Sequence, residues 1–194
     1  MKGSKITALV LAAALCAMPL TACAKEKKPV SSGINVISTQ SQAGVNGEVQ
    51  YTIDPNAESN NFCFKLNGVT VAINAPLSSI ESKLDTLGKY TYTEQASCAG
   101  QGMDKIYTFN GGSFTIYATP VGKDYTISMI AFGDDSVSTA EGVCIGNTVD
   151  QLKKTYGNPK ENDDTTIIYE KGTSTLVFVL EDGKILNIVY NAKV

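Results

Sequence analysis

Apolar residues form two short stripes with helical spacing along the chain. The first stripe has spacings of three, four and three residues: Leu77, Ile80, Leu84 and Leu87. The second has spacings of three and four: Val149, Leu152 and Tyr156. Both spacings are typical of one buried helix face. Pro76 precedes the first stripe and Thr148 the second, at positions where proline and an N-capping threonine favour the start of a helix. The pattern therefore predicts two helices.

Three runs that favour β-strands follow each predicted helix. They cover 105–110, 113–119 and 124–132 after the first helix, and 165–170, 174–180 and 184–191 after the second. The turns match as well, with Asn110-Gly111-Gly112 against Lys171-Gly172 and Gly122-Lys123 against Gly183-Lys184. We therefore predict an α+β fold of two tandem repeats, each a helix packed on an antiparallel three- to four-stranded sheet. The first repeat, with its N-terminal strands, would cover 48–135 and the second 136–194.

The first 22 residues have the pattern of a signal peptide. Two lysines precede an uncharged apolar stretch, 6–20, which is short for a membrane-spanning helix. The stretch ends on Leu20-Thr21-Ala22-Cys23, which resembles the lipobox of bacterial lipoproteins. That resemblance implies transfer of diacylglyceryl to Cys23, cleavage before it, and an anchor of acyl chains such as palmitate in the cell membrane. The alternatives are an ordinary signal peptide with Cys23 incidental, or an uncleaved apolar anchor.

From about Pro29 to Gly47, within the segment 23–47, the chain is rich in Ser, Gly, Gln and Asn and shows neither helical nor strand periodicity. This composition is typical of a flexible linker. We therefore predict a lipid-anchored tether that holds the folded part of the chain away from the bilayer. Its reach would be tens of ångströms, on the random-coil estimate of about 5–6 Å times the square root of the residue number.

The chain contains no histidine, arginine or tryptophan, and all its basic residues are lysine. Without histidine there is no Ser/His/Asp or Cys/His catalytic arrangement and no histidine zinc site. The two acidic clusters, 134–135 and 161–164, lack the loop spacing of a calcium site. The net charge of −3, which becomes more negative when the first 22 residues are removed, disfavours nucleic acid. We therefore expect no enzyme activity, no cofactor, no metal and no nucleic-acid partner.

Three cysteines remain in the mature chain besides Cys23, and an oxidising exterior permits a disulfide. We predict pairing of Cys63 with Cys98, because Cys144 lies between Val143 and Ile145 and has the pattern of a small buried apolar residue. A free thiol at Cys98, or three unpaired cysteines, are the alternatives.

The two copies differ most between the helix and the first strand, where the first copy carries about ten extra residues. They include Tyr90, Tyr92 and Glu94, and Asp104 follows them. A long loop in a compact repeat is often functional, so these four residues form a candidate binding loop. An extra strand with a surface turn is the alternative interpretation. Other tyrosines could line a sheet face that binds a peptide or glycan, although tyrosine is also simply favoured in strands: Tyr107, Tyr117, Tyr125, Tyr169 and Tyr190.

One stretch of the second copy resembles a known group of domains. The residues are Gly142-Val143-Cys144-Ile145-Gly146-Asn147-Thr148, then Val149, Leu152 and Tyr156-Gly157-Asn158-Pro159. They are similar to the opening of beta-lactamase-inhibitor-protein-like and outer-membrane assembly lipoprotein (SmpA/OmlA-like) domains, and the tandem copies over 68–194 are closer to the inhibitor protein. The first copy, through 97–107 and 139–142, resembles uncharacterised lipoproteins of low-GC Gram-positive bacteria. The resemblance implies the fold more than a function.

These features together predict a lipoprotein on the extracytoplasmic face of a cell membrane, in a Gram-positive bacterium. We expect it to be a non-enzymatic protein-binding module, either inhibitor-like or an envelope scaffold, with the membrane and an envelope protein as its partners. The alternative is a small-ligand-binding or enzymatic lipoprotein that uses the loop around Tyr90 to Asp104.

Overall fold

Ten strands and a few short helices make up the part of the chain that the computed structural model describes, residues 50–98 and 102–193. The strands are β1 (Cys63–Leu66), β2 (Val69–Ala72), β3 (Tyr90–Ala96), β4 (Met103–Phe109), β5 (Phe114–Val121), β6 (Asp124–Phe132), β7 (Glu161–Asn162), β8 (Thr166–Lys171), β9 (Ser174–Glu181) and β10 (Lys184–Ala192). The α-helices are α1 (Ala57–Asn60), α2 (Leu84–Leu87) and α3 (Val149–Tyr156), and two 3-10 turns cover Leu77–Ser79 and Glu81–Lys83.

Eight of the strands form one antiparallel sheet with the order β3-β4-β5-β6-β10-β9-β8-β7. Strands β3 to β6 follow each other as a meander, and so do β7 to β10. The two meanders join where β6 pairs with β10, with Ala131 opposite Val189 and Met129 opposite Asn191. Strands β1 and β2 form a separate hairpin.

The prediction of two repeats, each a helix on its own small sheet, is therefore wrong. The strands that were assigned to two sheets are continuous through the β6–β10 pairing, and most of the described secondary structure is strand. Hydrophobic periodicity reports which side of a strand is buried but not which distant strand lies beside it, so the pattern could not reveal this junction. The six predicted strand runs themselves are confirmed to within two residues at each end.

The first predicted helix is also largely absent. Its four apolar residues are buried as expected, but the segment consists of two 3-10 turns and the four-residue α2. Ser79 donates its hydroxyl to the carbonyl of Pro76 at 2.7 Å, and such side-chain bonds compete with regular helix. By contrast, α3 begins with a capping box in which Thr148 and Gln151 each satisfy the backbone N–H of the other. The second predicted helix is therefore confirmed.

The main core lies on one face of the large sheet, which we call the covered face. It is covered by the β1–β2 hairpin, the 3-10 turn Leu77–Ser79 and the three α-helices, all of which place buried residues in the same hydrophobic cluster. Phe64 of the hairpin is fully buried, and its ring centroid lies 5.0 Å from that of Phe114 and 5.2 Å from that of Phe132. This aromatic contact fastens the hairpin to the middle of the sheet.

Polar contacts tie the N-terminal part of the described chain to the turn between β8 and β9. The side-chain oxygen of Asn61 accepts a hydrogen bond from the backbone N–H of Thr173 at 2.9 Å, and the amide of Asn74 donates to the carbonyl of Thr173 at 3.1 Å. Both asparagines are buried. Segments 99 and 112 residues apart are thus held together by satisfied buried amides.

We expect Asn61→Ala to lower the free energy of unfolding by about 1–3 kcal/mol, because the side-chain oxygen of Asn61 accepts hydrogen bonds from both the backbone N–H and the hydroxyl of Thr173, and each is worth about 0.5–1.5 kcal/mol. Urea unfolding followed by circular dichroism measures the change. Asn60→Ala is the matched control, since Asn60 is exposed, and it should change stability by only about 0.5 kcal/mol. Equal losses in the two variants would show that the contact with Thr173 contributes nothing.

Candidate functional site

The other face of the large sheet, which we call the open face, is the main candidate for a functional surface. Two rows of side chains cross all or most of it. The first row is Thr91, Thr108, Thr115, Ala131, Val189, Val177, Ile168 and Glu161. The second row is Thr93, Ile106, Tyr117, Met129, Asn191, Thr175 and Glu170.

The alternation of each strand places these residues opposite the core. In β5, for example, Phe114 and Ile116 point into the core, whereas Thr115 and Tyr117 point to the open face. No residue of the two rows belongs to the hydrophobic core cluster. Because every helix in the described part of the chain contributes its buried residues to that cluster, none of these helices packs over the open face.

The apolar part of the open face lies in its central strands. Ile106, Tyr117 and Met129 are partly exposed, and so are Ile168 and Val179 on β8 and β9, whereas the middle of the first row is buried: Thr115, Ala131, Val189 and Val177. Carboxylates in the two rows stand only at one end, as Glu161 and Glu170. The middle of the surface is therefore uncharged and mixes aliphatic groups with hydroxyls.

Tyr117 gives the open face a hydrogen-bond donor among these aliphatic groups. Partial burial raises the pKa of its hydroxyl, so the group stays protonated at neutral pH. A surface of this kind can make apolar contacts and neutral hydrogen bonds, but it offers no nucleophile with an adjacent base. The arrangement supports binding rather than a reaction.

The predicted binding loop around Tyr90 to Asp104 is a β-hairpin in the described residues on either side of 99–101. Tyr90, Tyr92 and Glu94 lie on β3, at the edge of the sheet, and their side chains are on the covered side. Asp104 lies on β4 and faces the open side, two residues from Ile106. The structure therefore does not gather the four residues at one point, and the alternative of an extra strand is confirmed.

The hydrogen bonds within this hairpin are local. The hydroxyl of Tyr92 donates to the carboxylate of Glu94 on the same strand. The buried Oδ1 of Asp104 has no hydrogen-bond partner among the described residues. Neither carboxylate is placed against a nucleophile, which leaves the predicted loop without catalytic geometry.

The five strand tyrosines do not line one binding face. Tyr107, Tyr169 and Tyr190 are buried on the covered side, and Tyr125 packs against the same core. Only Tyr117 lies on the open face. Four of these five tyrosines pack against the core, which agrees with the alternative that tyrosine is simply favoured in strands.

The three described cysteines are free thiols, so the predicted Cys63–Cys98 disulfide is not formed in this structure. Cys98 is exposed, while Cys63 and Cys144 are half-buried. Burial raises the pKa of the Cys63 thiol and keeps it protonated, which makes it a weak nucleophile. The predicted signal peptide, the predicted lipidation residue Cys23 and the predicted tether of residues 23–47 all lie outside the described residues.

The two acidic clusters cap turns. The carboxylate of Asp134 accepts hydrogen bonds from the backbone N–H of Ser136 at 2.9 Å and from the hydroxyl of Ser113 at 2.9 Å. The carboxylate of Asp163 accepts hydrogen bonds from the backbone N–H groups of Thr165 and Thr166. These hydrogen bonds lower the pKa of the Asp134 and Asp163 carboxyls. Within 50–98 and 102–193, no group of three or more Cys, Asp or Glu side chains could hold a metal ion.

A shallow cleft of about 480 Å³ lies beside the C-terminal end of α3. Tyr156 and Tyr169 form its aromatic wall, with ring centroids 5.1 Å apart, and Lys171 stands at its rim. The hydroxyl of Tyr156 donates to Glu141, and burial together with this contact raises the pKa of Tyr156. Glu170, which also lines the cleft, pairs with Lys193 at 3.3 Å. Both carboxylates are thus engaged, and neither is set against a nucleophile.

Sequence reasoning missed the open face, although a signal for it was present. Strands with one solvent-facing side alternate apolar and polar residues, whereas strands buried on both sides are apolar at nearly every position. The stretch Leu176-Val177-Phe178-Val179-Leu180 in β9 is of the second kind, and so is Met129-Ile130-Ala131-Phe132 in β6. These runs indicate strands whose second side is also apolar and is more stable when it is buried.

Comparison with protein-family models, curated proteins and solved structures gave no match for this chain. Within the residues that the structure describes, no helix has both the length and the apolar character needed to cross a membrane.

Proposed function

We propose that this protein is a surface-anchored bacterial lipoprotein that serves as a non-enzymatic protein-binding module, and that the open face is its binding surface. The lipobox-like ending at Cys23 supports the anchor, and the tether of residues 23–47 supports a folded part that stands away from the membrane. One observation carries the binding role: the central strands of an eight-stranded sheet are apolar on both sides, but within residues 50–98 and 102–193 the helices and the β1–β2 hairpin place their buried residues on only one side.

The chemistry of the open face favours a protein as the partner. Its middle is free of charged residues and carries methionine and tyrosine, both of which are enriched in protein interfaces. Nucleic acid would require a basic surface, and this chain has a net charge of −3. Small anionic ligands would need a concave site with convergent charges, which a sheet row of Thr, Val, Ile and Met does not provide.

The size of the open face is also suitable. Eight strands about 4.8 Å apart span roughly 35 Å, and the two rows of side chains, each about 7 Å wide, extend about 14 Å along the strands. The product is on the order of 500 Å², the larger part of the roughly 800 Å² that each partner buries in a specific complex of standard size. A partner seated across the central strands would thus cover most of the surface.

A photo-crosslinking amino acid at Met129, introduced into the full chain in its native host, tests this proposal. We expect a discrete adduct of higher mass with an envelope protein, because Met129 lies at the centre of the open face. The same substitution at Lys123, an exposed turn residue between β5 and β6, is the control and should give no such adduct.

Ile168→Lys should then reduce the Met129 adduct by on the order of tenfold or more, since a charged side chain that a partner covers must lose its water, which costs several kcal/mol. Met103→Lys is the matched control, because Met103 is an exposed apolar residue on the covered side of β4 and should leave the adduct unchanged. Adducts that form only from the covered side, or that survive Ile168→Lys, would contradict binding through the open face.

A further inference from the structure

The two edges of the large sheet are very different. Strand β3 forms one edge with seven residues, all of them exposed, and no described residue pairs with its outer side. Strand β7 forms the other edge with only two residues. A long edge strand presents a row of backbone N–H and C=O groups that can pair with another strand.

The ladder between β3 and β4 shows which groups face outward. The N–H of Asn110 donates to the carbonyl of Lys89 at 2.7 Å, and that of Ser97 donates to Gly102 at 3.0 Å. The register between the two strands is unbroken, so hydrogen-bonded pairs fall on every second residue, 89, 91, 93, 95 and 97. The outward N–H and C=O groups therefore belong to the residues between them: Tyr90, Tyr92, Glu94 and Ala96.

This edge lacks most of the features that usually prevent pairing. Protected edges carry charged residues, above all lysine, or proline or a bulge, and β3 has only one charged residue, Glu94. Its sequence, Tyr-Thr-Tyr-Thr-Glu-Gln-Ala, instead begins with residues that favour strands. Three of the four exposed large apolar residues, Tyr90, Tyr92 and Met103, lie on β3 or next to it on β4.

We propose that β3 pairs with β3 of a second copy of this chain, antiparallel and about a two-fold axis at Thr93. The outward groups must face each other, so the hydrogen-bonded pairs join even-numbered residues only. In the register about Thr93, Tyr90 lies opposite Ala96 and Tyr92 opposite Glu94, and all four outward residues of each strand are paired. A register centred on Glu94 places two carboxylates opposite each other, and one centred on Tyr92 leaves Ala96 without a partner.

The side chains suit this register. On the covered side, each Tyr92 faces the Glu94 carboxylate of the other copy. Within one chain, the Tyr92 hydroxyl already donates a hydrogen bond to the carboxylate of its own Glu94. On the open side, Thr91 faces Gln95 and Thr93 faces Thr93, and all of these are neutral and polar. The short β7 offers almost no ladder to β3, so the association closes as a symmetric dimer and does not continue into a fibre.

Thr93→Cys in the full chain, with Cys98→Ser to remove the neighbouring thiol, tests both the dimer and its register. Residues at the two-fold axis form a non-hydrogen-bonded pair with Cα atoms about 4.5 Å apart, which a disulfide can span. We expect mild oxidation to convert most of this variant to a covalent dimer on a non-reducing gel.

Thr91→Cys and Gln95→Cys in the same background are the register controls. Each alone should give roughly tenfold less dimer than Thr93→Cys, while a mixture of the two should crosslink, because the register places 91 opposite 95. If Thr93→Cys remains monomeric with an unchanged melting temperature, or if Thr91→Cys alone crosslinks better, the proposal is overturned.

A second pair of variants removes only the outward hydrogen bond. Glu94→Pro deletes an N–H that points away from β4, whereas Glu94→Ala keeps it and shortens the same side chain. Relative to Glu94→Ala, Glu94→Pro should raise the dimer dissociation constant in sedimentation equilibrium by on the order of tenfold, because the bond is lost twice in a symmetric dimer. Equal constants for two folded variants would show that β3 does not pair.

Discussion

Replacing Phe64 with alanine should lower the free energy of unfolding by about 3–5 kcal/mol, a large part of the stability of an ordinary domain. Phe64 is fully buried and packs on both Phe114 and Phe132. Removing its ring leaves a cavity between the β1–β2 hairpin and the middle of the sheet that neither element can easily fill. The loss therefore includes both the apolar contact and the cavity.

Urea unfolding of the full chain, followed by circular dichroism, measures this effect as a shift of the midpoint at constant slope. Leu66→Ala on the same strand is the control, since Leu66 is half-buried and should cost about 1 kcal/mol. If Phe64→Ala unfolds at the same midpoint as Leu66→Ala, the hairpin is not an integral part of the core.

We expect Cys23→Ser to abolish acylation of the protein completely. The proposed anchor is a thioether on the sulfur of Cys23, and serine offers no sulfur for the diacylglyceryl group. Two or three acyl chains anchor stably because each buried CH₂ contributes about 0.8 kcal/mol. Metabolic labelling with palmitate and gel mobility in the native host measure the result, which should be an unlabelled precursor that retains residues 1–22.

Cys16→Ser is the matched control for this experiment. Cys16 lies in the same apolar stretch but outside the motif Leu20-Thr21-Ala22-Cys23. It should leave both the label and the mobility unchanged. A Cys23→Ser protein that is still labelled and processed like the wild type would refute the lipoprotein proposal.

The sequence predicted local structure well where one signal dominated. The β-favouring runs 124–132 and 184–191 located β6 and β10, and Thr148 located the start of α3 through a capping box that also involves Gln151. The prediction of a helix after Pro76 was wrong. The apolar spacing correctly indicated which residues are buried, but it did not indicate a regular helix. Buried 3-10 turns and a buried helix share nearly the same apolar spacing.

The arrangement of the strands and the candidate site could not be predicted in the same way. The pairing of β6 with β10 joins residues about 60 positions apart, and no local pattern specifies it. The open face follows from that pairing, since it brings Met129, Val189 and Val177 into adjoining positions. The binding loop around Tyr90 to Asp104 was predicted from its length alone, but the extra residues form β3 and extend the sheet.

The position of β10 has a consequence for how this chain folds. Strand β10 follows every other described strand in the chain but lies inside the sheet, between β6 and β9, so β3 to β6 and β7 to β9 cannot join until β10 is in place. Contacts between distant segments slow folding because the intervening loop must close first. We therefore expect a folding stage in which the inner edges of β6 and β9 are unpaired, and the insertion of β10 completes the sheet.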